Sequence, residues 1–496
     1  MNAILKPGFE EGAKEAGTER DLGYRSDDLI APYPPRTDDY LPGDPLSWFG
    51  FPRFIYRYAR NAISVFSRQH YQVRHWTISF AGRVYHTVHD PQIIRDVLVK
   101  QSDVMRFDPI RVRVLGHLSG NSLLTAEGED WKRVRHAVAP IFSPRHVGGL
   151  AQNMSNRCAD AVQRLAKTGG EISASTAMGE LAFDILESTL FSGDLVGDPD
   201  EMRRDLELVL ATLGKISPLD ALGVPNRVPR LGNLRAESAR RRFRQLVRSN
   251  LVHRRANATP KAPPQATSDL LNLMLNAEGA DGQRLSDQEI EDNLMAFVAA
   301  GYETTARGLT WCLYLLSQSP DWMARVREEL DAANLESTDP STWLDVLPVS
   351  RAVFDEAMRL YPPVPLIARQ AKAQTHIGDA EVKEGAGFIT WPFVLHRHET
   401  LWDAPDAFRP ERFMPGNRET IDRFAYLPFG AGPRICVGMR FALQEAVIAL
   451  AHLVRDLDWE YVGEEPPMPV MRVTLRPHNG MPMKVRRRVS PCKGSD

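Results

Sequence analysis

Phe429-Gly-Ala-Gly-Pro-Arg-Ile-Cys436-Val-Gly438 is the stretch that decides how this chain is read. Two glycines precede the cysteine and one follows it. Glycines let a backbone turn sharply and come close to a flat surface, and Pro433 stiffens the turn. A cysteine framed in this way presents its sulfur at a fixed distance from a planar ligand. The following residues, FALQEAVIALAHLV, begin a helix directly behind it. The cysteine therefore stands near a helix N-terminus, where the dipole and free N–H groups favour thiolate, and Arg434 adds a positive charge two residues away.

The rest of the chain has to supply a body large enough to enclose such a ligand. It has 496 residues, 43% hydrophobic and 25% charged, a composition expected of a folded globular protein. The formal net charge of −2 gives no bulk attraction for nucleic acid, so no nucleic-acid partner is expected. Cys158, Cys312, Cys436 and Cys492 are far apart and form no CxxC pair, which fits a reducing compartment. The N-terminal residues MNAILKPGFEEGAKEAGTERD are charged and lack the apolar core of a signal peptide. No segment approaches the roughly 20 apolar residues that span a bilayer. A soluble, cytoplasmic monomer without a transmembrane anchor is expected.

Residues 1–45 are rich in charge, proline and glycine and read as an extended, partly ordered lead-in to one catalytic domain over 46–496. A second proline-rich break, near 258–268, reads as an exposed connector. The arginine-rich stretch before it reads as a solvated helical face, or as a basic stripe for a membrane or an acidic partner. Strand patterns appear near 73–88, 377–391 and 470–485, and helical patterns fill most of the remainder. The fold class is mainly α with a minor β portion.

One helix stands out. Ser286 and Glu289 match a capping box, Leu285 and Ile290 are placed to staple it, and Pro320 stops it after about Gln318. A helix this long and apolar over Leu294 to Ala300 crosses an interior. It carries Ala300 and Thr304 at i,i+4 with Gly301 beside them, small residues next to a hydroxyl that make room for a small ligand. In mid-helix the Thr304 hydroxyl can bond the carbonyl of residue 300, and Glu303 is an acid in an otherwise apolar run.

These segments resemble the cytochrome P-450 family, the heme-thiolate monooxygenases, in a soluble bacterial-type form. Phe429, Gly432, Arg434, Cys436 and Gly438 match its F-x-x-G-x-R-x-C-x-G loop, with Gly430 as a frequent extra. Ala300, Gly301, Glu303, Thr304 and Thr305 match its A-G-x-[DE]-T-T motif. The resemblance implies heme b, with Cys436 as the axial ligand of the iron, and O₂ as co-substrate. It implies that Glu303 and Thr304 deliver protons to the dioxygen being reduced. Glu356 and Arg359 match the family's E-x-x-R and Arg412 its P-E-R-F, which implies a buried ionic triad behind the cysteine loop. Trp131 and Arg135 match its W-x-x-x-R, and with Arg369 and Arg434 are implied partners of the heme propionates. His396-Arg-His398 has no second pair of ligands at metal spacing and is not read as a metal site.

The activity implied is insertion of one oxygen atom of O₂ into a lipophilic small molecule such as a fatty acid or terpenoid. Electrons would come from a separate ferredoxin or flavodoxin, because no flavin, dinucleotide or iron–sulfur signature follows the heme region. Lys132, Arg133 and Arg440 are candidate cations for that partner. Peroxide-driven or rearrangement chemistry on the same heme, and a non-enzymatic heme binder, are the alternatives; Glu303 with Thr304 weighs against both. Pocket walls are expected around Met105–Leu124, Leu213–Asn226, Ala299, Ala300, Val364–Ile367 and Asn479–Met481.

Overall fold

The computed structural model describes residues 22–37, 39–41, 50–80, 83–213, 234–257 and 269–489. Most of the 1–45 lead-in, the wall expected at Leu213–Asn226, the 258–268 connector and Cys492 lie outside them, apart from the backbone of Leu213. The elements that position the site are, in chain order, β1 (His75–Phe80), β2 (Arg83–Val88), β3 (Met105–Phe107), α1 (Pro109–Ser119), α2 (Gly128–Val138), α3 (Pro144–Thr168), α4 (Ala174–Phe191), α5 (Pro199–Leu213), α6 (Leu234–Ala256), α7 (Asp287–Ser317), α8 (Pro348–Leu360), β4 (Ile367–Ala371), β5 (Gly387–Thr390), α9 (Met439–Asp456), β6 (Pro469–Met471) and β7 (Leu475–Pro477).

The capping box at the start of α7 forms as the sequence predicts. The Ser286 hydroxyl accepts the Glu289 N–H, and the Glu289 carboxylate accepts the Ser286 N–H at 2.8 Å. Leu285 and Ile290 are both buried beside it. The helix then runs 31 residues, about 46 Å at 1.5 Å per residue. From Glu291 to Leu316 every residue is buried except Phe297, Ala300, Gly301, Thr304 and Arg307. Those exceptions recur at i, i+3, i+4 and i+7, so a single stripe of this central helix faces open space. Helices α4, α6, α8 and α9 pack around the rest. Gly308 lets α8 approach: a Cβ there would meet the Phe354 ring at 3.0 Å.

The arginine-rich helix α6 is tied inward rather than simply solvated. Arg244 bonds Glu291 at 2.8 Å and Asp292 at 2.9 Å, Arg248 bonds Glu291 at 2.7 Å, and Arg254 reaches Asp269 at 2.6 Å. Glu291 and Asp292 are buried carboxylates on α7, and a buried carboxylate demands such partners. Asp292 also accepts the N–H of Asn121, while Asn293 accepts that of Leu123, so the loop after α1 hangs from the central helix.

The main sheet has the order β1-β2-β5-β4-β3, antiparallel except for the parallel pair β2–β5. Its edge register sets Phe107 opposite Arg369. Of the lead-in, residues 22–37 dock on the segment before the cysteine loop. Asp28 pairs with Arg409 at 2.5 Å, Arg36 pairs with Asp406 at 2.8 Å, and Ala31 donates its N–H to the Asp406 carbonyl.

Burial holds several imidazoles neutral. It pushes the pKa of His70 and His396 down to about 3, and that of His86, His398 and His452 down to about 4. Unfolded, each would take up a proton near pH 6.5. Below that pH the unfolded chain binds protons that the folded one refuses, so stability falls as pH falls through the window from about 6.5 to 4, by about 1.4 kcal/mol per pH unit for each such group. Chemical denaturation at pH 7.5 and pH 5.5 should give a clearly lower midpoint at pH 5.5; equal midpoints would mean that these rings are not held neutral.

Candidate active site

A fully buried ion pair anchors the site. Arg359 on α8 donates its Nε–H to Glu356 Oε2 at 2.6 Å and its Nη2–H to Oε1 at 2.7 Å, with both side chains 0% exposed. Its remaining N–H groups go to the carbonyls of His396, Pro405 and Ala407 at 2.6, 2.7 and 2.9 Å. Arg412 lies 3.5 Å from Glu356 and also bonds the carbonyls of Asp403 and Ala404. Glu356, Arg359 and Arg412 thus come together as the resemblance implied.

His396 carries this anchor to the cysteine loop. Its Nδ1 faces the Arg359 carbonyl at 3.1 Å, and its Nε2 accepts the Leu427 N–H at 2.8 Å. Those two partners require the proton on Nδ1, which agrees with a ring held neutral by burial. Two residues on, the Phe429 carbonyl accepts the Cys436 N–H at 3.0 Å and closes the loop. Gly430 and Gly432 both have φ of +73°, and a Cβ on Gly432 would strike the Leu98 carbonyl oxygen at 2.0 Å. Only glycine fits there. No group of three or more metal-ligating side chains occurs among the described residues, His396 and His398 included.

Cys436 is a free thiol, enclosed by protein yet with accessible surface, so it faces an internal space. Burial raises its pKa; the Gly438 N–H and then Arg135 pull it back. This corrects the charge assigned to Arg434. That guanidinium turns away from the sulfur, donating to the Ala126 carbonyl at 2.7 Å and to Glu127 at 2.6 Å. The helix-start N–H expected to favour thiolate is present, but desolvation outweighs it while the thiol has no partner.

The same space has a cationic edge. Phe107 is ringed by Arg111, Arg434 and Arg369, whose guanidinium carbons stand 4.1, 4.2 and 4.8 Å from its ring centroid. Arg434 also lies 4.3 Å over the Trp131 ring. Burial first, then mutual repulsion, lowers Arg369 to about 9 and Arg111 to about 10. Among the described residues, Glu127 is the one carboxylate that acts on Arg111, Arg369 and Arg434. Arg135, on α2 one turn beyond Trp131, forms no ion pair and no side-chain hydrogen bond among the described residues and sits within electrostatic reach of Cys436. Trp131, Arg135, Arg369 and Arg434 were singled out from sequence. Arg111 was not: in the sequence it is one arginine of several in a half-polar helix. This excess of enclosed positive charge fits a cofactor with two carboxylates on one edge.

Helix α7 carries the hydroxyl–acid pair, with Thr304 on its open stripe. Thr304 donates its hydroxyl to the Ala300 carbonyl at 2.7 Å, as its position predicts. Glu303 is 5% exposed and lies 3.7 Å from Arg307. Gly301 lies on this stripe and has a packing role besides. A Cβ there would meet Leu186 at 3.0 Å, so its smallness also serves the packing of α4. Thr305 bonds the fully buried Glu445 of α9 at 3.1 Å, and burial raises that carboxyl to about 8. Glu445 went unnoticed in the sequence because it falls within a helix-forming run.

Val364, Leu366 and Ala368 keep accessible surface while their neighbours are buried, in keeping with the wall expected at Val364–Ile367. The wall expected at Asn479–Met481 is displaced. Met481 is fully buried and its carbonyl is bonded to Ala174 at the start of α4. The β6–β7 hairpin reaches α7, through Trp311 Nε1 to the Leu475 carbonyl at 3.3 Å. The cations suggested for a redox partner are already occupied: Lys132 by Glu129, Arg133 by Asp281 and Glu289, and Arg440 by Asp345.

An enclosed thiol with accessible surface on a glycine-shaped loop, a cationic edge and a hydroxyl–acid pair on a crossing helix define the class of the heme-thiolate oxygenases. The sequence pattern of the cytochrome P-450 family matches residues 42–483. The chain is 30% identical over 412 residues to cytokinin hydroxylase of Arabidopsis thaliana, covering 81% of this chain and 79% of that protein. It is 31% identical over 365 residues to cyclooctatin synthase of Streptomyces melanosporofaciens, covering 73% and 77%. The crystal structure of the cytochrome P-450DA heme domain superposes with a TM-score of 0.74 at 23% identity, covering 90% of this chain and 97% of that one. The chain belongs to the cytochrome P-450 family and is a heme-dependent monooxygenase. No described helix is long and apolar enough to cross a membrane.

Arg359→Ala leaves Glu356 buried without its partner and three carbonyls without donors. A loss of about 3–5 kcal/mol is expected, with little folded protein recovered. A variant with the wild-type denaturation midpoint would contradict the anchoring role.

Proposed function

We propose that Cys436 is the axial ligand of heme iron, with the heme propionates held by Arg111, Arg369, Arg434, Trp131 and Arg135. The observation that carries this reading is that an unpaired enclosed thiol shares its loop with Arg434, one of three guanidiniums gathered on Phe107, and lies within electrostatic reach of Arg135. That surplus of positive charge matches the dianionic edge of heme b. Bound there, heme with a thiolate ligand supplies the chemistry that cleaves O₂.

The chain's own residues then have distinct tasks. Gly430 and Gly432 fix the loop so that the sulfur has one position. Phe297, Ala300 and the wall of Val364, Leu366 and Ala368 surround the site with apolar surface, which excludes water and favours a lipophilic substrate. The Thr304 hydroxyl holds a proton at Oγ1 beside the Ala300 carbonyl and donates it inward; Glu303, held by Arg307, restores it. The product is a hydroxylated lipophile, and one oxygen atom leaves as water.

Electrons come from a separate ferredoxin or flavodoxin. With Lys132, Arg133 and Arg440 already paired, its docking place is the cleft of about 720 Å³ lined by Arg95, Val99, Asp422, Arg423, Phe424, Gly432 and Ile435. Gly432 and Ile435 belong to the cysteine loop, and the exposed Arg95 and Arg423 form no ion pair among the described residues. An acidic carrier fits this surface.

Thr304→Ala removes the hydroxyl but keeps a helix-forming residue. Heme content, substrate binding and NADPH consumption through a reconstituted redox pair should persist. Product per NADPH should fall severalfold while peroxide rises in step. Unchanged coupling would restrict Thr304 to shaping the helix.

A further inference from the structure

Residues 22–37 precede the part of the chain that matches the family pattern, which begins at residue 42. Yet they lie along the very segment that the Arg359 anchor fixes. Ile30 and Ala407 form an antiparallel bridge, in which Ala31 donates its N–H to the Asp406 carbonyl at 2.9 Å and the Leu29 carbonyl accepts the Phe408 N–H at 2.8 Å. The Leu22 carbonyl accepts the Ala404 N–H at 2.5 Å. Side chains extend this contact. Asp28 accepts the Arg409 Nε–H at 2.7 Å, and the Gly23 carbonyl accepts an Nη2–H of the same guanidinium at 2.9 Å. Arg36 donates to the two Asp406 oxygens at 2.8 and 3.0 Å and stands 3.4 Å from Glu399.

The segment is thus held from two sides. From inside, Arg359 joins the carbonyl of residue 396 to those of residues 405 and 407, and Glu356 accepts the Arg409 N–H at 2.8 Å. From outside, Arg36 joins Glu399 to Asp406. These carboxylates are 5% and 3% exposed, and a carboxylate so far from water requires a cation. Arg397 is the other cation paired with Asp406 among the described residues; its Nε stands 3.4 Å away and makes no hydrogen bond. The lead-in reaches the oxygen-side helix as well. The Pro32 carbonyl accepts the Tyr361 hydroxyl at 2.8 Å, and the Tyr361 ring stacks on Trp311 of α7 with centroids 3.8 Å apart.

We propose that residues 22–36 brace the cysteine loop from outside, and that Arg36 and Asp28 are positioning residues for the Cys436 sulfur. They act through the 396–409 segment, and then through His396 and Leu427. Without Arg36, Asp406 and Glu399 draw water into the segment, and the carbonyls of residues 405 and 407 leave the Arg359 donors. The loop loses its fixed start while the helical body, which packs on its own apolar faces, remains. This rests on the reading of Cys436 as the heme ligand. It goes beyond that reading by assigning the sulfur's position in part to residues that precede the family-matched chain.

The test uses the heme-loaded full chain, reduced with CO, at a urea concentration low enough that the helical circular dichroism of every variant is unchanged. The lifetime of the thiolate-type Soret band is followed. Arg36→Gln should shorten it ~10- to 100-fold, the range set by losing hydrogen bonds between charged groups. Asp28→Asn, nearly isosteric, should shorten it by a smaller factor, and it decides by the same criterion if Arg36→Gln retains no heme. Arg327→Gln breaks the Arg327–Asp458 pair beyond the far end of α9 from the cysteine, and should leave the lifetime within about twofold of wild type. An unchanged lifetime in the lead-in variants, or a band lost only where the helical signal falls with it, would overturn the proposal. A wild type that never shows the band would overturn the heme assignment instead, so the two failures are distinct.

Discussion

The saturated guanidinium of Arg359 is the constraint on which the rest of the molecule depends. Its five N–H donors meet five acceptors, two on Glu356 and three on the carbonyls of residues 396, 405 and 407. An arginine taken wholly out of water is tolerable only when its donors are used in this way. The consequence is geometric. Those carbonyls belong to an irregular segment with little secondary structure of its own, and the ion pair fixes its path. Through His396 and Leu427 that path sets where the cysteine loop begins, and the Phe429–Cys436 bond sets where the sulfur points.

What the anchor positions is an electrostatically incomplete interior. On one side a thiol is pushed toward its neutral form by burial; along one edge Arg111, Arg369 and Arg434 crowd a single phenylalanine and share one carboxylate. A protein interior does not keep such an arrangement for stability's sake, since each group would be better off hydrated. The two imbalances have one remedy, a group that is a metal at its centre and dianionic at its edge. A metal ion binds the thiolate outright, and the carboxylates neutralise the guanidiniums.

How much of this was legible in the sequence depended on distance along the chain. The capping box of Ser286 and Glu289 and the Thr304–Ala300 bond are local, and both form as read. The long helix, the strand regions and the mainly helical class follow from periodicity. Glu356, Arg359 and Arg412 were legible through the family pattern, although nothing in their spacing reveals which carbonyls they hold. What was missed is tertiary. Arg434 is two residues from the cysteine but points to Glu127, because the loop's turn, and not sequence proximity, aims the side chain. Arg111 and Glu445 acquire meaning only from what packs against them. Arg133 reads as a free surface cation, yet it bridges to Asp281 and Glu289.

The most direct measurement is the absorption spectrum of the reduced protein with CO, in the wild type and in Cys436→His. The account predicts the strongly red-shifted Soret band of thiolate ligation in the wild type, and its replacement in Cys436→His by the ordinary band of an imidazole-ligated heme. A wild-type protein without that band, or a variant that retains it, would contradict the assignment of Cys436 and with it the reading of the interior.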